Sequence, residues 1–244
     1  MKRFLLSFTL VFLTFSNFFA QRDTDHWIAP YYNSSSAYIN KLYLSTDALT
    51  PFVVTIYSNN IAIGTVSISK NDPKTFDVDA DLISANTTGE AFTTVSKGLY
   101  LKGANPFYCT LRLAQSAHGE IVTSKGKAGI GKEFYVASTP YNGTSSGYNF
   151  TAGVLATENS TTVTATWPGT VNFYGGTPTT NTHTFTLNKG QSFIFAGNAS
   201  VTAPFMGAKI TSDKPITLTN GNSNGNFGNA PSGSDAILDQ SVPV

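Results

Sequence analysis

The chain is short of the groups on which exported or catalytic proteins often depend. Of 244 residues one is cysteine, three are histidine and two are tryptophan, and only 12% are charged. The single thiol, Cys109, excludes an intrachain disulfide and a structural zinc site built from paired thiolates, so stability must come from packing. Lys and Arg number 15 against 14 Asp and Glu, a net +1. Loss of Lys2 and Arg3 with a leader would leave an acidic excess of one, so no field exists to gather phosphates or anionic lipid, and nucleic acid is excluded as an expected partner. Helical signal is missing too, because no long stretch after the first twenty residues places apolar side chains at i, i+3, i+4 and i+7. What is present is a 41% hydrophobic content, enough for a folded core.

Lys2 and Arg3 precede an apolar run from Phe4 to Ala20, which meets the polar Gln21-Arg22-Asp23. This is the layout of a signal peptide, with cleavage expected near Ala20. Ser7, Thr9, Thr14, Ser16 and Asn17 interrupt the run and make it a poor permanent span, and no later segment is apolar enough to cross a bilayer. The expectation is an exported chain, secreted or held at the cell surface. In Phe107 to Leu113 the apolar residues Phe107, Cys109, Leu111 and Leu113 alternate with Tyr108, Thr110 and Arg112, which puts the thiol on the core face of a strand.

Short alternating runs rich in Thr, Val, Ile, Phe and Tyr recur between clusters of Gly, Asn, Ser and Pro, the pattern of an all-β protein. The pattern is also written twice. His26-Trp-Ile-Ala29 matches Phe134-Tyr-Val-Ala137, each after an acidic residue. Thr50 to Tyr57 matches Ser160 to Trp167, Thr75 to Val78 matches Thr184 to Leu187, and Gly98 to Phe107 matches Gly207 to Ile216. The last pair aligns Pro106 with Pro215; proline holds its predecessor extended and withholds a ladder donor, which suits a strand entry. Repeats of about 105 residues with turn-marked strands have the size of a sandwich. The expected architecture is two tandem antiparallel β-sandwiches, Ig-like or jelly-roll-like: residues 1–20 a leader, 21–125 the first repeat, 126–131 a linker and 132–244 the second. A continuous solenoid or propeller fragment is the alternative.

Catalytic and ion-binding patterns are few. Gly126 to Lys132 resembles a phosphate loop, but Glu133 stands where a magnesium-binding hydroxyl belongs and a strand follows where a helix is needed. Gly143-Thr-Ser145-Ser-Gly147 has nucleophile-elbow spacing, and Ser67-Ile-Ser-Lys70 that of penicillin-recognising enzymes, both without the helical context their chemistry requires. Of the histidines, His26 occupies a place held by Phe134 in the other copy, which favours packing over base catalysis. Asp77, Asp79 and Asp81 are read as a solvated stripe protecting a sheet edge rather than a calcium site. No cofactor, metal or catalytic residue is assigned. The candidates for ligand contact are aromatic residues beside Asn- and Ser-rich loops: Tyr31, Tyr32, Tyr141, Tyr148 and Phe227, since exposed rings bring contact area at little entropic cost.

Taken together, Glu133-Phe-Tyr-Val-Ala137, Val163-Thr-Ala-Thr-Trp-Pro-Gly169, Gly207-Ala-Lys-Ile-Thr-Ser-Asp-Lys-Pro-Ile-Thr-Leu-Thr-Asn-Gly-Asn222 and Asp239-Gln-Ser-Val-Pro-Val244 resemble the N-terminal domain family of IgGFc-binding proteins. The resemblance is clearest from Gly131 to Val244 and looser in the first copy, where Leu99-Tyr-Leu-Lys-Gly-Ala-Asn-Pro106 replaces the Ser-Asp-Lys-Pro pattern. That family occurs in animal mucus proteins and in secreted bacterial surface proteins, including gliding-motility-associated ones. The resemblance implies a non-catalytic extracellular adhesion or recognition module binding a protein or glycan through its loops. It also implies continuation beyond Val244, so that the chain is expected to be a truncated reading frame, with its second repeat cut short, or the front of a larger protein. The alternatives are a structural spacer of a larger surface protein and, less favoured, a secreted hydrolase.

Overall fold

The computed structural model describes residues 21–33, 38–115, 118–139, 149–198, 205–227 and 234–244. The leader, Tyr141, Tyr148 and Ser145 lie outside the described residues. Among those described, no helix is long and apolar enough to cross a membrane.

Alternation with period two gives strands throughout. The first repeat runs β1 (Asp23–Ile28), β2 (Tyr31–Tyr32), β3 (Ile39–Ser45), β4 (Phe52–Ser58), β5 (Ile61–Ile68), β6 (Lys74–Val78), β7 (Ser84–Ala85), β8 (Thr94–Val95), β9 (Leu99–Gln115) and β10 (His118–Thr123). The spine is β9, whose first half ladders with β1 and β4 and whose second half ladders with β3 and β10. It changes layer around Pro106, whose carbonyl accepts the Thr46 hydroxyl at 2.8 Å. With β5 on β4 and β6 on β3, the layers β1-β9-β4-β5 and β10-β9-β3-β6 enclose Leu42, Leu44, Val54, Ile56, Leu101, Phe107 and Cys109.

The second repeat has β11 (Gly131–Tyr135), β12 (Asn149–Ala156), β13 (Thr161–Thr166), β14 (Thr182–Leu187), β15 (Ser192–Asn198), β16 (Lys209–Gly225) and β17 (Asp235–Gln240). Here β16 is the spine. The layers are β11-β16-β13-β14 and β17-β16-β12-β15, and every antiparallel pair of the first sandwich recurs in the same order. The protein is thus an all-β duplication of one sandwich.

Register tests the matches read from sequence. His26 faces Leu101 and Phe134 faces Ile210, so that landmark and the paired prolines occupy equivalent places. The match of Thr50–Tyr57 to Ser160–Trp167 is one residue out: Val54 faces Gly103 and Val163 faces Ser212, making Val54 and Val163 the equivalents. A slip of one reverses faces, and Tyr57 is half-buried on the outer side whereas Trp167 is buried in the core. The match of Thr75–Val78 to Thr184–Leu187 joins strands that are not equivalent, because β6 pairs with β3 whereas β14 pairs with β13. The counterpart of β6 is β15.

The repeats are tied to each other. Residues 86–95 leave the first repeat and lie on the second, where β8 pairs with β15 and the Phe92 N–H donates to the Ile194 carbonyl at 2.7 Å. The Phe92 ring, on a backbone with φ of 54°, packs against Phe173, Phe193 and Phe195. In return, Ala236 and Leu238 of β17 belong to the core of the first sandwich. Gly153 of β12 allows the Pro30 backbone to pass, since a Cβ there would lie 1.8 Å from the Pro30 oxygen. Lys189 reaches back over Tyr100 and Trp27, 5.3 and 5.7 Å from their ring centres, a cation–π contact between repeats.

Candidate binding groove

Where the sandwiches meet, β10 and β17, the closing strands of the two copies, run side by side in the same direction. Side chains bridge them. Asp235 accepts from the Gly119 N–H at 3.1 Å and Glu120 from the Leu238 N–H at 3.3 Å. The Lys125 ammonium meets the Asp239 carboxylate at 2.8 Å and also donates to the Gln240 carbonyl. These charges are therefore committed to the seam itself.

Above the two strands and the end of β16 lies an open cavity of about 680 Å³. Among its apolar lining residues Phe227 and Ile121 are the exposed ones, at 69% and 55%. Its polar wall is Ser138, Thr139 and Asn220. Asn220 is fixed, accepting from the Ala137 N–H and donating to the Ser241 hydroxyl, while the Ser138 hydroxyl oxygen is buried with no hydrogen-bond partner among the described residues. A cleft between domains, with exposed apolar side chains and converging polar groups, is the usual form of a ligand site.

Among the described residues, Phe227 is the sequence candidate that this groove contains. Tyr31 and Tyr32 differ from the expectation of loop exposure: each is 1% exposed. The Tyr31 hydroxyl donates to Asn40 at 2.8 Å, and burial raises its pKa. Tyr32 packs on Tyr174, and its N–H donates to Thr151 of the other repeat at 2.8 Å. Polar neighbours in sequence concealed a chain segment that is covered from across the seam. Ile121 and Ser138 were missed; the exposure of Ile121 follows from its alternation with Val122 on β10, but nothing local marks Ser138.

The other patterns resolve into structural contacts. The glycine-rich stretch forms a 3-10 turn, Gly126–Gly129, in which the Lys127 N–H donates to the Asp23 carboxylate at 3.0 Å, where a phosphate loop would present its amides to a ligand. Asp77 pairs with Lys41 at 3.0 Å, and Asp79 caps the turn that follows by accepting from the Asp81 N–H. Among the described residues, no three metal-ligating side chains converge. His26 contacts the Ser124 hydroxyl through Nδ1 at 2.9 Å, and its Nε2 reaches the carbonyls of Phe107 and Asp23 at 2.9 and 3.2 Å. Carbonyls only accept, so Nε2 carries the proton and Nδ1 accepts from Ser124. The pair is sealed from solvent, and burial holds the imidazole pKa below its usual value.

Fold and groove define a tandem β-sandwich with a cleft where its two copies join. The family model described as IgGFc binding protein matches residues 119–244, just over half of the chain, and the chain belongs to that family, a family of binding domains. The match starts at β10 and takes in the whole second repeat. No curated protein and no solved structure matches.

Proposed function

We propose that the protein is a secreted, non-catalytic recognition module of the cell surface, which binds a protein or glycan ligand in the groove between its sandwiches. Phe227 is the observation that supports this reading: a large apolar side chain 69% exposed, lining a cavity whose wall includes a buried hydroxyl unpaired among the described residues. Rings in such positions tend to dominate binding energy. Export is supported by the leader-like first twenty residues and by a lone thiol that is buried. The burial of Tyr31 and Tyr32 favours the second reading, a spacer whose aromatic residues serve packing.

Retention on an array of glycans and proteins, immunoglobulin included, separates the two. A ligand retained by the parent chain and lost in Phe227→Ala and Ile121→Ser supports recognition at the groove. Retention that neither substitution alters moves the site elsewhere, and no retention on the array favours the spacer. A hydrolase screen on the same preparation addresses catalysis, with any turnover counting against the non-catalytic reading.

A further inference from the structure

Sheet edges invite strand addition, and proteins usually blunt them with charge, proline, bulges or a covering segment. The described edges of this molecule follow that practice with one exception. A register shift and charged residues mark both β1 (Asp23, Asp25) and β11 (Lys132, Glu133). On β5 there is a bulge, since Ile56 faces Gly64 and the next residue, Tyr57, faces Ala62. Lys74 and Asp77 stand on β6, β8 covers β15, and β10 and β17 shield each other. The edges left by β8, β2 and β7 are only two residues long, too short to template a partner. The exception is β14, Thr182–Leu187, which has no charge and no proline and pairs with β13 over six residues without a shift. Its far side ends the sheet.

We propose that this edge is an interface between two copies of the chain, β14 of one adding antiparallel to β14 of the other. The register identifies the occupant. Centred on Thr184, the strand faces itself with Thr184 against Thr184, Thr182 against Thr186 and His183 against Phe185. On its occupied side β14 already makes this threonine pairing, with Thr166, Thr164 and Thr162 opposite Thr182, Thr184 and Thr186, and the hydroxyls of Thr164 and Thr184 are 3.0 Å apart. A second β14 repeats on the free side what β13 presents on the other, and Thr–Thr cross-strand pairs are favourable. The other row sets imidazole against phenyl, groups that already stack within the strand with ring centres 5.7 Å apart. Pairing about a two-fold axis is closed, so it gives a dimer rather than a fibre. The equivalent strand of the first repeat, β5, carries its bulge instead, which confines the interface to the second repeat.

Sedimentation velocity of the full chain over a range of concentrations tests this, together with Thr184→Lys, which opposes two ammonium groups on the axis. Dimerisation in the parent chain and its loss in Thr184→Lys, with an unchanged circular dichroism spectrum, is the expected result. Oxidation of Thr184→Cys supplies a measurement that does not depend on folding of the lysine variant. A cysteine on the axis meets its own copy and forms a covalent dimer, whereas in Thr186→Cys each thiol faces Thr182, and the buried Cys109 contributes to neither. A monomer at every concentration, a dimer that persists in well-folded Thr184→Lys, or equal cross-linking at 184 and 186 would overturn the proposal, the last by showing another register or partner strand.

Discussion

The side-chain amide of Gln240 donates to the Trp27 carbonyl at 2.8 Å, joining residues 213 apart in sequence. The same nitrogen donates to the Thr217 hydroxyl at 2.6 Å, and the amide oxygen accepts from the Lys125 N–H at 2.6 Å; the Gln240 and Thr217 side chains are fully buried, and the bond from Lys125 is partly so. The last strand of the second repeat is thereby fastened to the first strand of the first. Beside this bond the copies exchange apolar groups, Phe92 into one core and Ala236 with Leu238 into the other. Two sandwiches that complete each other's cores should behave as one cooperative body, and the groove they share should keep a fixed shape.

Replacing Gln240 by leucine keeps the approximate volume but leaves the Trp27 carbonyl and the Lys125 N–H unpaired. A buried group stripped of its partner costs about 1–3 kcal/mol, so Gln240→Leu is expected to lose about 2–4 kcal/mol in urea unfolding. A midpoint equal to that of the parent chain would show that the seam does not depend on this amide.

Truncation of Phe92 empties part of the second core from the first repeat. Substitution of a buried phenylalanine by alanine typically costs about 3–5 kcal/mol, and because Phe92 is only partly buried about 2–3 kcal/mol is expected. The two tryptophans report the repeats separately, Trp27 at the seam beside the first sandwich and Trp167 in the second core. In single-tryptophan chains both probes should move to the same lower midpoint after Phe92→Ala. Separate transitions would mean that the repeats unfold independently. By the same reasoning the segment 119–244 alone, which lacks Phe92 and β8, is expected to show no cooperative transition.

Gly153 gives a steric version of the same test. An added methyl would meet the Pro30 backbone oxygen at 1.8 Å, and main chain cannot swing aside as a side chain can. Gly153→Ala is expected to cost about 3 kcal/mol or more, the upper range of overpacking. Near-parental stability would mean that the contact between Pro30 and β12 opens easily.

Much of this arrangement was legible in the chain. Alternation gave the strands, and the paired prolines with His26 and Phe134 gave the duplication in register. The matches failed where residue likeness outweighed face: Tyr57 and Trp167 are both aromatic but lie on opposite sides of their sheets, and Phe76 and Phe185 sit on strands with different neighbours. Nothing near Phe92 foretold its place, because Asn86 to Thr93 is largely polar and the ring is buried by residues about a hundred positions away. Tyr31 and Tyr32 were hidden in the same manner. Of the groove, Phe227 stood out in its polar loop and alternation exposes Ile121, but nothing local brings them together, since the seam exists only after both repeats have folded.

Acid should weaken the fold first through the two histidines whose pKa burial lowers, His183 and the more deeply buried His26. Burial, partly offset by the carbonyls of Phe107 and Asp23, places the pKa of His26 in the folded chain below the ordinary value of 6.5. Well above pH 6.5 the imidazole is neutral in both states and its contribution to stability is complete. As the pH falls below 6.5 the unfolded chain takes up the proton before the folded one does, so stability declines until the folded pKa is passed. The carboxylates act at lower pH. Burial raises the pKa of Asp23, but the N–H groups of Lys127 and Thr24 together with the Lys127 ammonium outweigh it and leave a net lowering, so its contribution fades as the pH drops below about 4. His26→Phe, which installs the residue found at the equivalent place in the second repeat, is expected to unfold at lower urea at neutral pH because the buried Ser124 hydroxyl loses its acceptor and the Phe107 carbonyl a donor. It should also flatten the dependence between pH 6.5 and 5. Urea midpoints measured across that interval decide the matter: an equal slope in parent and variant would assign the acid sensitivity to other groups.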